Sequence, residues 1–331
     1  MNNIEKSFVL KKPKTIFIFD INGTLDFGEN YNDTFILDSK LIFEILKNDD
    51  TWIGTWSGLN IWYQLYLCNY LDFKFNFHIQ KHQVSDLLNS IHAFFKNNED
   101  DINIIVCGDS EEDKWFAYYN HLNFYFVEDF YNKFLKNTIY SLYYNSDTYQ
   151  DILLPNKKIY GFRNCEKTWE YFKDKVNFKD KIILDIGCNS GYFIIQSLIN
   201  KCKYCYGIDL NEFHNPNELK SKPKYLLNPF EICNIVLDQW NFKDKVKLIQ
   251  DNWETCEFNN VVDIIYLFNV MGYWKNINQS FEKVLKLNSN IILCETILTE
   301  ELKNLIKKYN YIINYTIDGH WNNKKFIYIT K

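Results

Sequence analysis

The sequence predicts an α/β protein built as two three-layer domains, and three observations carry that expectation. Each half of the chain alternates short apolar runs with amphipathic stretches, the pattern of a parallel sheet covered on both faces. In each half one such run ends on a carboxylate followed by a glycine turn: TIFIFDINGT at 15–24 and KIILDIGCNSG at 181–191. Finally, YIINYTI at 311–317 and KFIYITK at 325–331 flank a turn at Asp318–Gly319, which implies an antiparallel hairpin on an otherwise parallel sheet.

Taken in order, TIFIFD (15–20) reads as a buried strand, SKLIFEILKN (39–48) as a helix and TWIGTW (51–56) as a second strand. VSDLLNSIHAFFKN (84–97) has apolar residues at 84, 87, 88, 91, 94 and 95, a helical spacing. INIIVCGD (102–109) and FYFVE (124–128) are further strands. Around 145–158 the pattern breaks into polar residues and a proline, which places a domain boundary between 148 and 149. Beyond it come the strand KIILDIG (181–187), the helix YFIIQSLIN (192–200) and the strand YCYGIDL (204–210). KVKLIQD (245–251), VDIIYLFNV (262–270) and NIILCET (290–296) complete the run of strands before the terminal pair.

With 331 residues, 47% hydrophobic and 24% charged, the chain is globular and too long for one ordinary core. Its charge is uneven. Residues 1–150 carry 12 Lys, no Arg and 21 acids, a balance of −9; residues 151–331 carry 24 Lys, one Arg and 21 acids, a balance of +4. The acidic first half is a poor general binder of nucleic acid, whose backbone calls for many Lys and Arg contacts. The second half leaves room for a structured RNA without demanding one. The nine cysteines are scattered and odd in number, and no apolar leader or run long enough to span a membrane is visible, so a reduced, cytoplasmic setting is expected. Cys202 and Cys205 form a C-x2-C pair with no evident second pair of metal ligands. Nothing in the sequence sets an oligomeric state.

In the second half, LDIGCNSGYF puts Asp185, Gly187 and Gly191 at a strand end and a helix start. Glycines there let the backbone turn tightly and let a ligand press against it, beside the free N–H groups of the helix. Asp209 closes the next strand, where an acid accepts ribose hydroxyls. Asp251 and Asn252 come after the third strand, placed for an adenine edge, with Trp253 as a ring to stack on it. The spacing is G-x-x-x-G with Asp two residues before the first glycine, not the dinucleotide G-x-G-x-x-G. Residues 160–331 thereby resemble the class I S-adenosylmethionine-dependent methyltransferases. The resemblance implies that Asp185, Gly187, Cys188, Asn189 and Gly191 line the methionine end of the cofactor and that Asp209 holds its ribose. Asp251 and Asn252 would hold the adenine, and Phe268 and Asn269 would face the sulfonium and the acceptor. Candidate bases are His320, Glu295, Tyr273 and His214, with Tyr273 also a substrate contact; the His often found after the fourth strand is absent from NVMGYW. Arg163, the single Arg, suits a clamp on a substrate carboxylate or phosphate. The stretch GFRNCEKTWEYFKDKVNFKDKIILDIGCNSGYF resembles the lead-in of a methyltransferase subgroup that includes tRNA wobble-uridine modifiers and relatives acting on small metabolites.

In the first half, Asp20-Ile-Asn22-Gly23-Thr24-Leu25 resembles the opening motif D-x-D-G-T-L of the haloacid dehalogenase-like (HAD-like) superfamily. Ser57 matches its phosphate-binding Ser/Thr, Lys81 its Lys (with Lys74 and Lys96 as rivals), and Asp109 and Asp113 its acids for Mg2+. The resemblance implies Asp20 as nucleophile and metal ligand, Asp109 and Asp113 as further ligands, and Asn22 contributing its backbone carbonyl. Ser57 and Lys81 would neutralise phosphoryl oxygens. Asn22 stands where the superfamily's phosphatases carry a second Asp, the acid–base group, a function worth ~10²–10⁴-fold. The spacing from Asp20 to Ser57 and from Ser57 to Lys81 leaves no room for a large cap domain.

The expected architecture is thus a capless HAD-like Rossmannoid domain at 1–148, followed at 149–331 by a class I methyltransferase Rossmann-like domain with a terminal antiparallel hairpin. The expected function is methyl transfer from S-adenosylmethionine to a small molecule, sugar- or nucleotide-linked and phosphorylated. The first domain would hold phosphate and Mg2+, weakly active or inactive as a hydrolase because of Asn22. The alternative is an RNA- or tRNA-modifying methyltransferase carrying a HAD-like phosphatase or binding module.

Overall fold

The computed structural model describes residues 13–26, 37–58, 62, 64–66, 75–83, 85, 89, 102–144, 148–212, 227–319 and 324–331. The chain divides into two compact units, Met1–Tyr140 and Ser141–Lys331.

The first unit is organised by β1 (Thr15–Asp20), whose residues from Ile16 to Asp20 are all buried. An apolar run closed on both faces is the signature of a central parallel strand. Helix α1 (Ser39–Leu46) starts where Asp38 Oδ1 accepts the Leu41 N–H at 2.8 Å. Strands β2 (Thr51–Ser57), β3 (Phe77–Gln80) and β4 (Asn103–Gly108) come next, then α2 (Glu111–Tyr119) and β5 (Asn123–Phe126). The sheet order is β3-β2-β1-β4-β5 with every pairing parallel. Ile16, Ile18, Trp56 and Val106 form one side of its core. Phe17, Phe19, Phe130 and Phe134 interlock edge-to-face on the other, with Phe19 and Phe130 5.1 Å apart. The helical pattern at 84–97 lies almost wholly outside the described residues.

The second unit opens with a feature that the sequence pattern assigned to a linker. Ile152–Leu154 (β6) and Lys157–Ile159 (β7) pair as a small antiparallel hairpin, and Ile152 and Leu154 are buried. The expected boundary residues 148 and 149 lie in this unit. After the short helix α3 (Cys165–Glu170) come β8 (Ile182–Ile186), α4 (Tyr192–Ile199) and β9 (Tyr204–Asp209). They are succeeded by α5 (Pro229–Gln239), β10 (Val246–Gln250), β11 (Ile264–Phe268) and α6 (Ile277–Lys286). The chain closes with β12 (Ile291–Thr296), α7 (Glu300–Lys308), β13 (Ile312–Asp318) and β14 (Lys325–Thr330). Helix α5 shows its start in the sequence: Pro229 at its first turn and a reciprocal capping box between Asn228 and Glu231.

The seven-stranded sheet runs β10-β9-β8-β11-β12-β14-β13. All pairings are parallel except those of β14, which opposes both β12 and β13. The strand order therefore reverses at β8, between β9 and β11, and the carboxyl ends of an open α/β sheet at such a point form a crevice. Beneath it Phe172, Phe193, Tyr266, Phe268 and Phe326 pack ring against ring, with Phe193 and Phe268 4.4 Å apart.

Candidate functional site

The crevice at the carboxyl ends of β8, β9 and β11 is a cleft of about 350 Å³. Of the residues singled out in the sequence, Gly187, Asn189, Asp209, Asp251 and Asn252 line it at one end. Phe268, Asn269 and Tyr273 line it as well, the last two-thirds exposed. Cys188 is wholly buried, and its thiol backs onto β9 at Gly207.

The loop after β8 owes its shape to two glycines. Gly187 (φ +78°) and Gly191 (φ +83°) sit in the left-handed region, where a side chain is strained. Space forbids a side chain too: a Cβ at Gly187 would lie 2.7 Å from Val270 Cγ2, and one at Gly191 would overlap the Cys233 sulfur. Asp209 fastens this loop to the exit of β9. Its Oδ2 accepts the Asn189 N–H at 2.9 Å and its Oδ1 the Asn211 N–H at 2.8 Å.

Asp185 lies under the loop, 1% exposed, and among the described residues its Oδ2 has no hydrogen-bond partner. Burial pushes its pKa from the ordinary 3.8 up to about 8, against the pull of nearby Arg163. A cradle that excludes side chains, a carboxylate ringed by amides at the second strand and an unpartnered buried carboxyl at the first together fit an adenosyl ligand with a cationic amino-acid tail.

Three sequence assignments are corrected. Arg163 is not a substrate clamp: it is 1% exposed and donates from Nη2 to Glu295 Oε2 at 2.5 Å and from Nη1 to the Phe268 carbonyl at 3.3 Å. Its guanidinium also lies 5.3 Å from the Phe193 ring centre. Glu295, a candidate base, is spent on the same pair and on the Thr168 hydroxyl at 2.6 Å. Trp253 borders the cleft, but its indole is 3% exposed, donates to the Ser280 carbonyl and carries the Lys283 ammonium over its ring at 4.4 Å. It is a core residue rather than an open stacking face. His320 and His214 lie outside the described residues.

Sequence reasoning missed the far rim of the cleft. Tyr149, within the stretch read as a linker, lines it, and its hydroxyl accepts from Asn269 Nδ2 at 2.5 Å. The Lys324 ammonium donates to Asn269 Oδ1. Asn269 itself is in the left-handed region, φ +61°, at the exit of β11. Burial lowers the Lys324 pKa and raises that of Tyr149. The same linker stretch supplies Gln150, whose side chain accepts the first N–H of α4, from Tyr192, at 3.1 Å. The bridge between Gln150 and Arg163 locks the segment in place. The only available signal was the run of buried residues at Ile152 and Leu154, too short to read as strand.

The first unit gathers its own cluster at the carboxyl end of its sheet. Asp20 ends β1 and is 3% exposed; Asp109 follows β4; Asp113 is in the first turn of α2, where it forms a capping box with Ser110. Their carboxylate oxygens lie within 4.8 Å of one another, an all-oxygen set suited to a hard divalent cation. Lys81, from the turn after β3, places its ammonium 3.2 Å from Asp20 Oδ1 and 2.5 Å from Asp113 Oδ1. Burial and Asp113 push Asp20 up to about 7, with Lys81 pulling the other way. Burial also raises Asp109, and burial alone would lower Lys81, but its two carboxylate partners outweigh it and the pKa is raised. Gly23 (φ +74°) brings the turn after β1 against Asp109, leaving no room there for a Cβ. Ser57 is buried at the end of the neighbouring strand, and Asn22 is exposed in the turn. Lys74 and Lys96 lie outside the described residues.

No family model matches the chain. Among curated proteins it is similar to a tRNA U34 carboxymethyltransferase of Helicobacter pylori strain J99, 26% identical over 141 residues, 40% of this chain and 48% of that protein. The protein of that name from Helicobacter acinonychis is also 26% identical, over 47% of its length. The chain thus spans about half the length of the curated relatives it matches. Among solved structures it is similar to magnesium protoporphyrin IX methyltransferase of Synechocystis with bound S-adenosylmethionine, with a TM-score of 0.39 and 8% identity over 50% of this chain and 77% of that one. An S-adenosylmethionine-dependent methyltransferase from Mesorhizobium loti gives 0.34 and 10% over 49% and 97%. The second unit has a Rossmann-like α/β fold, and its glycine loop and terminal antiparallel hairpin are those the sequence resemblance implied. Among the described residues no helix is long and apolar enough to cross a membrane.

Proposed function

We propose that the second unit is an S-adenosylmethionine-dependent transferase that holds the adenosyl group in the cleft at β8, β9 and β11. The observation that carries this is Asp209, which lines the cleft at the end of the second strand and anchors the glycine loop through Asn189. Gly187 and Asn189 would follow the ligand's backbone-hugging tail over Asp185, Asp209 would take the ribose, and Asp251 and Asn252 the adenine edge. The sulfonium of the bound donor supplies a carbon activated for displacement; the chain's own part is alignment, which for a well-placed pair is worth ~7–11 kcal/mol of the barrier. Phe268 and Asn269 border the place where the acceptor would enter. The candidate base from the sequence that faces the cleft is Tyr273.

The acceptor we favour is a nucleoside in RNA. The two relatives bear the name of a tRNA-modifying enzyme, whereas the small phosphorylated metabolite that the sequence ranked first has gained no support. A second reading concerns the group transferred. A carboxymethyl donor would bring an anion to the sulfonium end, and the Lys324 ammonium at Asn269 is a cation placed at that end. The first unit, in this reading, is a HAD-like domain that grips phosphate and a divalent cation such as Mg2+ through Asp20, Asp109, Asp113, Lys81 and Ser57.

Calorimetric titration with S-adenosylhomocysteine tests the cofactor assignment: saturable binding that Asp209→Ala weakens is expected, and no heat at millimolar ligand would end the proposal. Incubation of the chain with unmodified RNA or a small-molecule extract and labelled donor, followed by nucleoside mass spectrometry, separates the acceptors. Label confined to small molecules refutes the RNA reading. Lys324→Met should weaken use of a carboxylate-bearing donor while sparing S-adenosylmethionine; equal loss of both removes the second reading.

A further inference from the structure

We propose that the first unit is a phosphoryl acceptor: Asp20 takes a phosphoryl group from an acyl phosphate and retains it, because Asn22 cannot activate the water that would remove it. The inference rests on the phosphate-binding reading of this unit and adds what class of donor it takes and what becomes of the phosphate.

The geometry supplies an attacking group and charge neutralisation but no proton carrier at position 22. Asp20 is buried at the strand end with the Lys81 ammonium 3.2 Å from one carboxylate oxygen. Asp109 and Asp113 complete a set that would hold a divalent cation, which would offset the charge of an arriving phosphate. Ser57 lies at the end of the adjoining strand, in register just beyond the Asp20–Trp56 pair. The turn that comes after Asp20 is pinned because Gly23 is pressed onto the Asp109 carboxylate. Asn22 therefore occupies a fixed place at the rim, where a carboxamide neither gives nor takes a proton near neutral pH.

Two steps then part company. In the first, an Asp20 carboxylate oxygen attacks phosphorus and the bond from phosphorus to the donor's bridging oxygen breaks. The bonding pair leaves on that oxygen. When the leaving group is an alkoxide it must be protonated, and the missing acid costs ~10²–10⁴-fold. When it is a carboxylate, whose acid has a pKa of about 4, it departs as the anion and needs no proton. In the second step water attacks the phosphorus of the aspartyl phosphate, the Asp20 carboxylate is expelled, and the water's proton must be taken up. Every donor meets that step alike, so the penalty of Asn22 falls there undiminished. Loading from an acyl phosphate is spared, unloading is not, and the aspartyl phosphate accumulates.

The test uses the full chain with Mg2+ and acetyl phosphate, read by intact mass and by phosphate release. Wild type should gain the mass of one phosphoryl group at Asp20, sensitive to hydroxylamine as an acyl phosphate must be, and Asp20→Asn should not gain it. Asn22→Asp should hold far less adduct and release phosphate ~10²-fold or more faster. Adduct that resists hydroxylamine or maps elsewhere overturns the proposal, as does an adduct that persists equally in Asn22→Asp. If wild type shows no adduct while Asn22→Asp turns over acetyl phosphate, storage is refuted and the phosphate-binding reading stands. If neither protein reacts and neither binds Mg2+ in a calorimetric titration, both fall together.

Discussion

Replacing Asp185 by Asn should make the ligand-free protein more stable at neutral pH and less able to hold its adenosyl ligand. The Asp185 carboxyl is fully buried and titrates at about 8 instead of 3.8, chiefly through desolvation. A carboxyl with a raised folded pKa binds its proton more tightly when folded than when unfolded. Its contribution to stability is therefore complete below about pH 4 and is lost progressively as the pH rises toward 8. At pH 7 the separation from 3.8 corresponds to a destabilisation of about 4 kcal/mol as an upper bound, at 1.36 kcal/mol per pKa unit. Asn removes that term but leaves an amide N–H group under the loop in need of a partner, at a cost of ~1–3 kcal/mol. The net expectation is a gain of ~1–2 kcal/mol at pH 7.5, or a few degrees in Tm, shrinking and reversing toward pH 4.5. Urea unfolding of both proteins at several pH values measures this, because other titrating groups cancel in the difference. A difference that is flat from pH 4.5 to 8 would refute the reasoning, whatever its sign, since the argument requires the wild-type carboxyl to be the group that titrates.

Three further outcomes are expected. Asp209→Ala removes two potential ribose bonds to a charged acceptor, each worth ~1.5–3 kcal/mol, and should weaken S-adenosylhomocysteine binding by ~10²-fold or more in calorimetry. Arg163→Ala strands Glu295 in the core and should cost ~3–5 kcal/mol in urea unfolding, whereas the paired change Arg163→Met with Glu295→Leu should return to within ~2 kcal/mol of wild type; equal losses would show that the ion pair is not what matters. Gly191→Ala combines left-handed strain with overlap onto Cys233 and should cost ~2–4 kcal/mol, of which Cys233→Ala recovers only the overlap.

The central strands of both units were legible because each is a short apolar run with a polar stop, and their observed spans fall within a residue or two of the runs; the edge strand Phe77–Gln80 and the hairpin at 152–159, too short and too polar to stand out, were not. The glycine loop and the terminal hairpin were legible for a similar reason: a left-handed turn and a strand reversal each demand particular residues. What could not be read was partnership across the chain. Arg163 was conspicuous as the single Arg, yet its partner is Glu295, 132 positions away, and nothing local indicates that both are buried. Tyr149 and Gln150 looked like linker residues because their order comes from the bridge to Arg163, not from any periodicity of their own. Lys81 had to be chosen among rivals by spacing; the structure sets its ammonium between Asp20 and Asp113.

Tyr149, Asn269 and Lys324 meet at a single point of the cleft although they are 120 and 55 positions apart in the chain. The proposed grip on the nucleoside would be assembled separately, from the exits of β8, β9 and β10. Under the proposed function, a lineage could change what meets the sulfonium, acceptor or transferred group, by altering the stretch before β6 or the turn into β14, while the hold on the adenosyl group is inherited intact. The chemistry performed and the hold on the nucleoside would then be separable traits.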